Sequence, residues 1–552
     1  MSHPQPTAVP PLCPDLDSPF RLAHQRLDCL LAFCTADECP HDDRSFLAFE
    51  RDLLGLVLCL GQLLVQIFLL RRHQRLDLTP WLDQGYRVSD HAAPRTLQTP
   101  FGPVEYHRVT LSVGLTPDDS RLQTPFGPVE YHRAYLIPKG GGNGVHPLDA
   151  ELGLSRDGFC PLLISWFCRL ATRLSFRLAC EMGGMFLGQA PAASTVEGWV
   201  LGLGRPAHVY LSTGPLPQGD GEVLVIECDG KAIPTATDEE RANRRGPRKP
   251  KSCACKCQRH RGRCRRKSSG KKKKRKRGDK SKNGRSATLI AMYTLKRGED
   301  GRLHGPINKK VYGTFSSRRV ALRWAREQAT RRDFGPDTTK TIQILLDGEV
   351  CLEQQMRELF PKAILTLDIR HAQERLWQVG RQLHAEGSEE LAAWVEPLAG
   401  LLYQGKVGEL LERLEGLRFV GPGSKQKRKI TGKAMNYLRR REGLMRYEQW
   451  RERDLVLASG VVEGAARYVI GERLDNSGMR WIVERAEAVL LLRCIEVNGD
   501  WDKFFAFAEE RRRAELSRGE VVRVGSQTPT QLPQVTEEAE RARRRRKAKA
   551  AA

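Results

Sequence analysis

Val223-Leu-Val-Ile-Glu-Cys-Asp229-Gly-Lys231 is a run of β-branched and apolar residues that ends on an acid followed at once by glycine. A short apolar run bounded by a turn signal predicts a buried strand. Asp229 then stands at the strand's carboxyl end, where open α/β sheets place their ligands. The same acid-plus-glycine ending recurs at Thr341-Ile-Gln-Ile-Leu-Leu-Asp347-Gly348 and at Ser459-Gly-Val-Val-Glu463-Gly464. One such pair in isolation is a turn or a cap. Three of them matter if Asp229, Asp347 and Glu463 meet in space.

The elements between these stretches support that convergence. Ala287–Lys296 and Lys309–Phe315 read as strands joined by a glycine-containing turn, and Ser317–Arg332 as an amphipathic helix offering Val320, Leu322, Trp324 and Ala325 to a core. Thr341–Leu346 is a strand, Leu352–Phe360 a helix, and Ala363–Leu367 a strand running into Asp368-Ile-Arg-His371. Three strands, then helix, strand, helix and strand, with acids at strand ends, is the order of a ribonuclease-H-like mixed sheet. The expected class is therefore α/β, with a large helical insertion over 374–455 and a mainly helical amino-terminal region.

Around this core, residues 1–45 read as an irregular lead-in and 46–146 as a helix (Ser45 to Arg75) followed by a duplication. Leu97–Arg108 and Leu122–Arg133 are the same twelve residues, Leu-Gln-Thr-Pro-Phe-Gly-Pro-Val-Glu-Tyr-His-Arg. Two copies are too few for a solenoid and read as one duplicated turn unit. Residues 147–220 are helical. Ser175–Leu187, a turn, and a helix opened by a Ser194-Thr-Val-Glu197 capping box outline a helix-turn-helix, and equally two packed helices. The sheet core occupies 221–373 and resumes over 456–513 with Glu463, and 514–552 is a polar tail ending in cations.

The net charge of +25 is local. Arg241–Arg285 holds 23 Lys+Arg and one acid, Asp279, so this arm carries 23 − 1 = +22 and the remainder of the chain only +3. Charge so concentrated, with almost no apolar residues, binds a polyanion, nucleic acid being the usual one. Cys253, Cys255, Cys257 and Cys264 lie inside the arm, spaced too tightly for an ordinary tetrahedral zinc site, so free thiols are the favoured reading. Fifteen scattered cysteines, an odd number, point to reduced thiols and a cytoplasmic setting. Leu53–Leu70 is nearly all apolar, but Gly55, Gly61, Gln62 and Gln66 interrupt it, which favours a buried or pairing helix over a membrane span.

Asp279-Lys-Ser-Lys-Asn-Gly284, Gly305-Pro-Ile-Asn-Lys-Lys310, Leu367-Asp-Ile-Arg-His371, Ser459-Gly-Val-Val-Glu-Gly464 and Gly478-Met-Arg-Trp-Ile-Val-Glu-Arg-Ala-Glu487 together carry a family resemblance. Over roughly Pro147 to Phe505 the chain resembles bacterial insertion-sequence transposases of the ISKra type, within the Mutator-like group of DDE transposases. The resemblance implies strand cleavage and strand transfer at DNA ends, with double-stranded DNA as end and target. It also implies a homo-oligomer assembled on that DNA and a place on the bacterial nucleoid. In that group the second acid precedes a helix and a Cys-or-Asp-x-x-His motif follows, which maps onto Asp347 and then onto Asp368 with His371. Asp368 remains the alternative second acid. The duplicated unit and the cysteine-rich insert depart from the pattern.

The chemistry such a set implies is two-metal phosphoryl transfer by Mg2+, or Mn2+, with the ions about 4 Å apart. Asp229 would bridge the ions, and Asp347 and Glu463 would each hold one. Lys231, Arg467 and Arg473 are candidates to meet phosphate, Arg467 through sharing a helical face with Glu463. His371 would contact the scissile phosphate or satisfy a backbone carbonyl. Trp481 would stack on a flipped base or sit in a core. The competing reading is a nucleic-acid-binding protein without catalysis, a degenerate transposase held to DNA by its arm.

Overall fold

The computed structural model describes residues 17–35, 46–84, 86–88, 95–99, 102–106, 122–124, 127–129, 136–138, 144–154, 158–187, 190–236 and 284–517. Most of the basic arm, with Cys253, Cys255, Cys257 and Cys264, and the tail beyond 517 lie outside them. The chain divides into two compact units, one comprising 1–210 with 499–530 and the other 211–498 with 531–552.

In the first unit, α1 (Asp17–Thr35) falls inside the stretch expected to be irregular, a correction to that reading. Its Ala23, with Phe20, packs on Leu60, Leu63 and Ile67 of α2 (Phe46–Gln74), so the apolar helix has a partner. Residues 55–72 of α2 are nonetheless long and apolar enough to cross a membrane by length and composition. After α3 (Thr79–Asp83), the two identical sequence copies form two alike antiparallel hairpins. Arg95–Thr99 pairs with Gly102–Tyr106, and Leu122–Thr124 with Gly127–Val129. Helices α4 (Pro147–Leu152), α5 (Pro161–Arg173), α6 (Phe176–Leu187) and α7 (Ala193–Thr213) follow. Ser194 lies within α7, not at its cap, so the capping-box argument for a helix-turn-helix falls away.

The second unit is built on one mixed sheet of five strands, β1 (Val223–Pro234), β2 (Gly284–Arg297), β3 (Leu303–Thr314), β4 (Thr341–Leu346) and β5 (Ile364–Leu367), in the order β5-β4-β1-β2-β3. β2 runs antiparallel to both β1 and β3, whereas β4 is parallel to β1, and β5 to β4. Val223 to Ile226 are all buried, because a central strand covered on both faces has no polar side. α8 (Arg318–Arg331), whose Trp324 stacks on Tyr312 with centroids 4.7 Å apart, packs on β2 and β3, α9 (Val350–Leu359) packs on β4, and residues 460–475 pack on β1 itself. The insertion comprises α10 (Ile369–Gly380), α11 (Glu389–Tyr403), α12 (Val407–Glu415), α13 (Ser424–Arg439) and α14 (Tyr447–Glu452). The expected loop over 421–429 is instead largely the first turns of α13. Gly423, at φ +80°, makes the entry, and Thr431, Ala434 and Leu438 give the helix a buried face.

The chain then returns through α15 (Gly460–Ala465), a π-helical stretch over Ala466–Asp475, and α16 (Val483–Val497), buried without a break from Ala486 to Ile495. α17 (Trp501–Ser517) belongs to the first unit, where Trp501 Nε1 donates to Ser165 Oγ at 2.9 Å, so the expected boundary at 513 moves back to 499.

Glu487 on α16 accepts from Thr314 Oγ1 and from Phe315 N, both at 2.6 Å, and is fully buried. Burial pushes its carboxyl up to about 7. Because the folded chain then holds a proton that the unfolded chain releases near pH 4.5, stability declines as pH rises from about 4.5 to 7. Glu487→Gln flattens that decline in urea titrations across this window; an unchanged slope would show that Glu487 is ionised when folded.

Candidate active site

Sheet register gathers the acids. Glu227 of β1 pairs with Leu345 of β4, so carrying the parallel register two residues on sets Asp347 beside Asp229. Leu346 pairs with Leu367 of β5, and one further step sets Asp368 beside Asp347. Three acids thus stand in one row across three adjacent parallel strands. Asp347 and Asp368 follow the last residues of β4 and β5, whereas β1 runs past Asp229 to Pro234 because β2 pairs with it that far, a correction to the expected strand end. Glu463 comes from α15, and the ligand atoms of Asp368, His371 and Glu463 all lie within 4.8 Å of one another, close enough to hold a cation together. His371 is the neighbour common to both groups, since its charge also acts on Asp229.

These carboxylates differ in how much of their bonding capacity is taken. Asp368 is fully buried. Its Oδ1 accepts from Arg370 N at 2.7 Å, capping α10, while its Oδ2 accepts from Ser459 N at 2.9 Å and from the Ser459 hydroxyl. Ser459 Oγ lies 3.5 Å from Glu463 Oε1, so Asp368 braces the start of the helix that carries Glu463. Asp229 is half-buried and Asp347 exposed. Burial raises the Asp229 carboxyl above its usual range; the Gly230 amide opposes this, Asp347 adds to it, and His371 and Lys231 oppose it. Carboxylates crowded together in this way favour a divalent cation among them.

Glu227 was not legible as a site residue from its type alone. It lies two positions before Asp229 on the same face of β1, fully buried. Oε1 accepts from Tyr293 OH and Oε2 from Val462 N, both at 2.7 Å, which ties β1 to α15. Burial raises its carboxyl to about 7, against the bonds from Tyr293 and Val462 and with help from Asp368 and Glu463. The signal was a charge inside an otherwise apolar strand.

The Asp347 turn is held from both flanks. Asp347 Oδ1 accepts from Glu349 N at 2.8 Å, and Glu349 forms a two-pronged ion pair with Arg318 at 2.7 and 2.6 Å. From α13, Tyr437 OH donates to the Asp347 carbonyl at 2.8 Å, and Arg441, just past the helix, donates to the Gly348 carbonyl. Gly348 has φ +87°, and a side chain there would collide with Tyr437. Arg375 and Arg441 flank the Tyr437 ring, 4.5 and 4.1 Å from its centroid.

The remaining expected contacts divide. Lys231 is half-buried, and its Nζ stands 2.9 Å from where a Cβ on Gly471 would be. Arg467 is exposed, but the helix turns π at Ala466, so it does not continue the 3.6-residue face of Glu463 as expected. Arg473 is 1% and Trp481 3% exposed. The guanidinium lies 4.9 Å from the Trp481 ring, and Trp481 Nε1 donates to the Leu474 carbonyl at 3.0 Å. Both belong to the core, which corrects the expectation that Arg473 meets phosphate and agrees with the core alternative for Trp481. Trp481 also bridges Thr235 at the end of β1, so its partner is the sheet. No protein-family model matches the chain, and no curated protein matches it.

Proposed function

We propose that the chain is a DNA transposase whose second unit is a ribonuclease-H-like catalytic domain performing strand cleavage and strand transfer. The observation that carries this reading is the row of acids across three parallel strands, Asp229, Asp347 and Asp368, whose last member lies with His371 and Glu463 in a group of ligand atoms within 4.8 Å of one another. The strand order β3-β2-β1-β4-β5, antiparallel then parallel, supports the fold. Asp229, Asp347 and Glu463 would hold two Mg2+ or Mn2+ ions, with His371 beside them. Metal bound there supplies Lewis-acid stabilisation of the charge that develops on the attacking and leaving oxygens. Glu227, whose oxygens are taken by Tyr293 and Val462, positions the helix that carries Glu463, whereas Asp368 braces that helix through Ser459 and, grouped with His371 and Glu463, is the alternative metal-holding acid. Lys231, half-buried next to the acid row, offsets part of their charge. The arm Arg241–Arg285, carrying +22, supplies the affinity for phosphate that holds DNA against this unit.

The test is strand cleavage on a plasmid carrying the DNA that flanks the coding sequence. The proposal requires nicking that depends on Mg2+ or Mn2+ and stops in EDTA. DNA binding with no cleavage under any divalent metal would favour the non-catalytic reading.

A further inference from the structure

We infer that α13 is a second DNA-tracking surface, a row of lysines that conducts one strand of duplex DNA toward the Asp347 turn; this rests on the catalytic reading above. Between Ser424 and Arg439 the helix carries six cations and no acid. Lys425, Lys429 and Lys433 recur every four residues, all exposed, and among the described residues none of the three has an acid at ion-pair distance. Elsewhere in the insertion some exposed arginines are neutralised, Arg413 by Glu409 at 2.7 Å and Arg381 by Glu386 at 2.5 Å. Like charges four apart cost a helix stability, and α13 carries that repulsion uncompensated.

The same spacing continues along the helix to Tyr437 and then to Arg441. Those two side chains bind the Asp347 and Gly348 carbonyls, so the lysine row ends on the turn that presents Asp347. Three lysines spaced by four residues cover about 12 Å of helix. One strand of B-DNA offers three to four phosphates over roughly that length. Point charges on flexible stems suit phosphate contacts that fix position and carry no sequence information.

The experiment uses the full chain carrying Lys425→Ala, Lys429→Ala and Lys433→Ala together. Binding to a fluorescein-labelled duplex is followed by anisotropy across a salt series without divalent metal. The slope of log K against log salt should shallow by about 2 to 3, near 0.9 for each phosphate that is no longer neutralised. Thermal melting by circular dichroism should be unchanged or slightly raised, since all three side chains are exposed and their removal relieves the repulsion along the helix. An unchanged slope with intact folding overturns the inference. Because binding is read without metal, the outcomes separate: a wild type that never cleaves but whose slope depends on the row defeats the catalytic reading and keeps this surface. A wild type that cleaves, with a variant of identical slope, does the reverse.

Discussion

Replacing Asp229 by Asn lowers strand cleavage by about three orders of magnitude or more while leaving DNA binding within a factor of about two. Asn keeps the shape of the side chain and its place on β1, but removes the charge that a divalent cation needs. Losing several kcal/mol of metal-derived stabilisation, at a factor of ten per roughly 1.36 kcal/mol, gives that size of loss. Binding survives because the cations that supply it, on the arm and along α13, are elsewhere in the sequence. Cleavage retained within about tenfold would show that Asp229 does not hold metal and would remove the acid row from the mechanism.

Asp220→Ala destabilises the fold by about 3–5 kcal/mol, the usual cost of leaving a buried charge without its partner. The Arg332 side chain is only 2% exposed, and its Nε and Nη2 donate to Asp220 at 2.9 and 2.6 Å. Asn308 Nδ2 donates to the same carboxylate at 2.9 Å from a backbone at φ +54° that asparagine tolerates. This explains why asparagine stands in the Gly305–Lys310 motif: it staples β3 to the segment that enters β1. Burial pushes the Asp220 carboxyl up, yet the bonds from Arg332 and Asn308 outweigh it and hold the group below its usual range. Its contribution is therefore fully present above about pH 4 and is lost as pH falls through the folded value. Urea unfolding at neutral pH measures the effect directly. A loss under about 1 kcal/mol would mean that Arg332 finds water or another acceptor when Asp220 is gone.

The sheet was legible because β1, β2 and β4 are buried on both faces, and such strands read as unbroken apolar runs. Their neighbours were not legible. That Asp347 stands beside Asp229 and Asp368 beside Asp347 depends on register between distant segments, which pattern alone leaves open. Asp368 and Asp347 look alike in sequence. Only the hydrogen bonds separate them, with both Asp368 oxygens satisfied from Ser459 and Arg370 and the Asp347 carboxylate exposed. Arg473 misled for a related reason. An arginine near a motif suggests phosphate, but here it lies over the ring of the core residue Trp481, which bridges to the end of β1. The π-helical stretch after Ala466 defeated the spacing argument for Arg467, because a 3.6-residue face does not persist through a wider turn. α13 was missed at its start because a run of lysines and glycines resembles a loop. Its helical character comes from Thr431, Ala434 and Leu438, which give it a buried face among the insertion helices.

The central claim, that Asp229, Asp347 and Glu463 form one divalent-metal site, is tested most directly by titrating the purified full chain with Mn2+ and counting bound ions by electron paramagnetic resonance. The account predicts two ions per chain in the wild type and at least one lost in the Asp229→Asn protein at unchanged helix content. Binding that is absent from the wild type, or identical in both proteins, would contradict it.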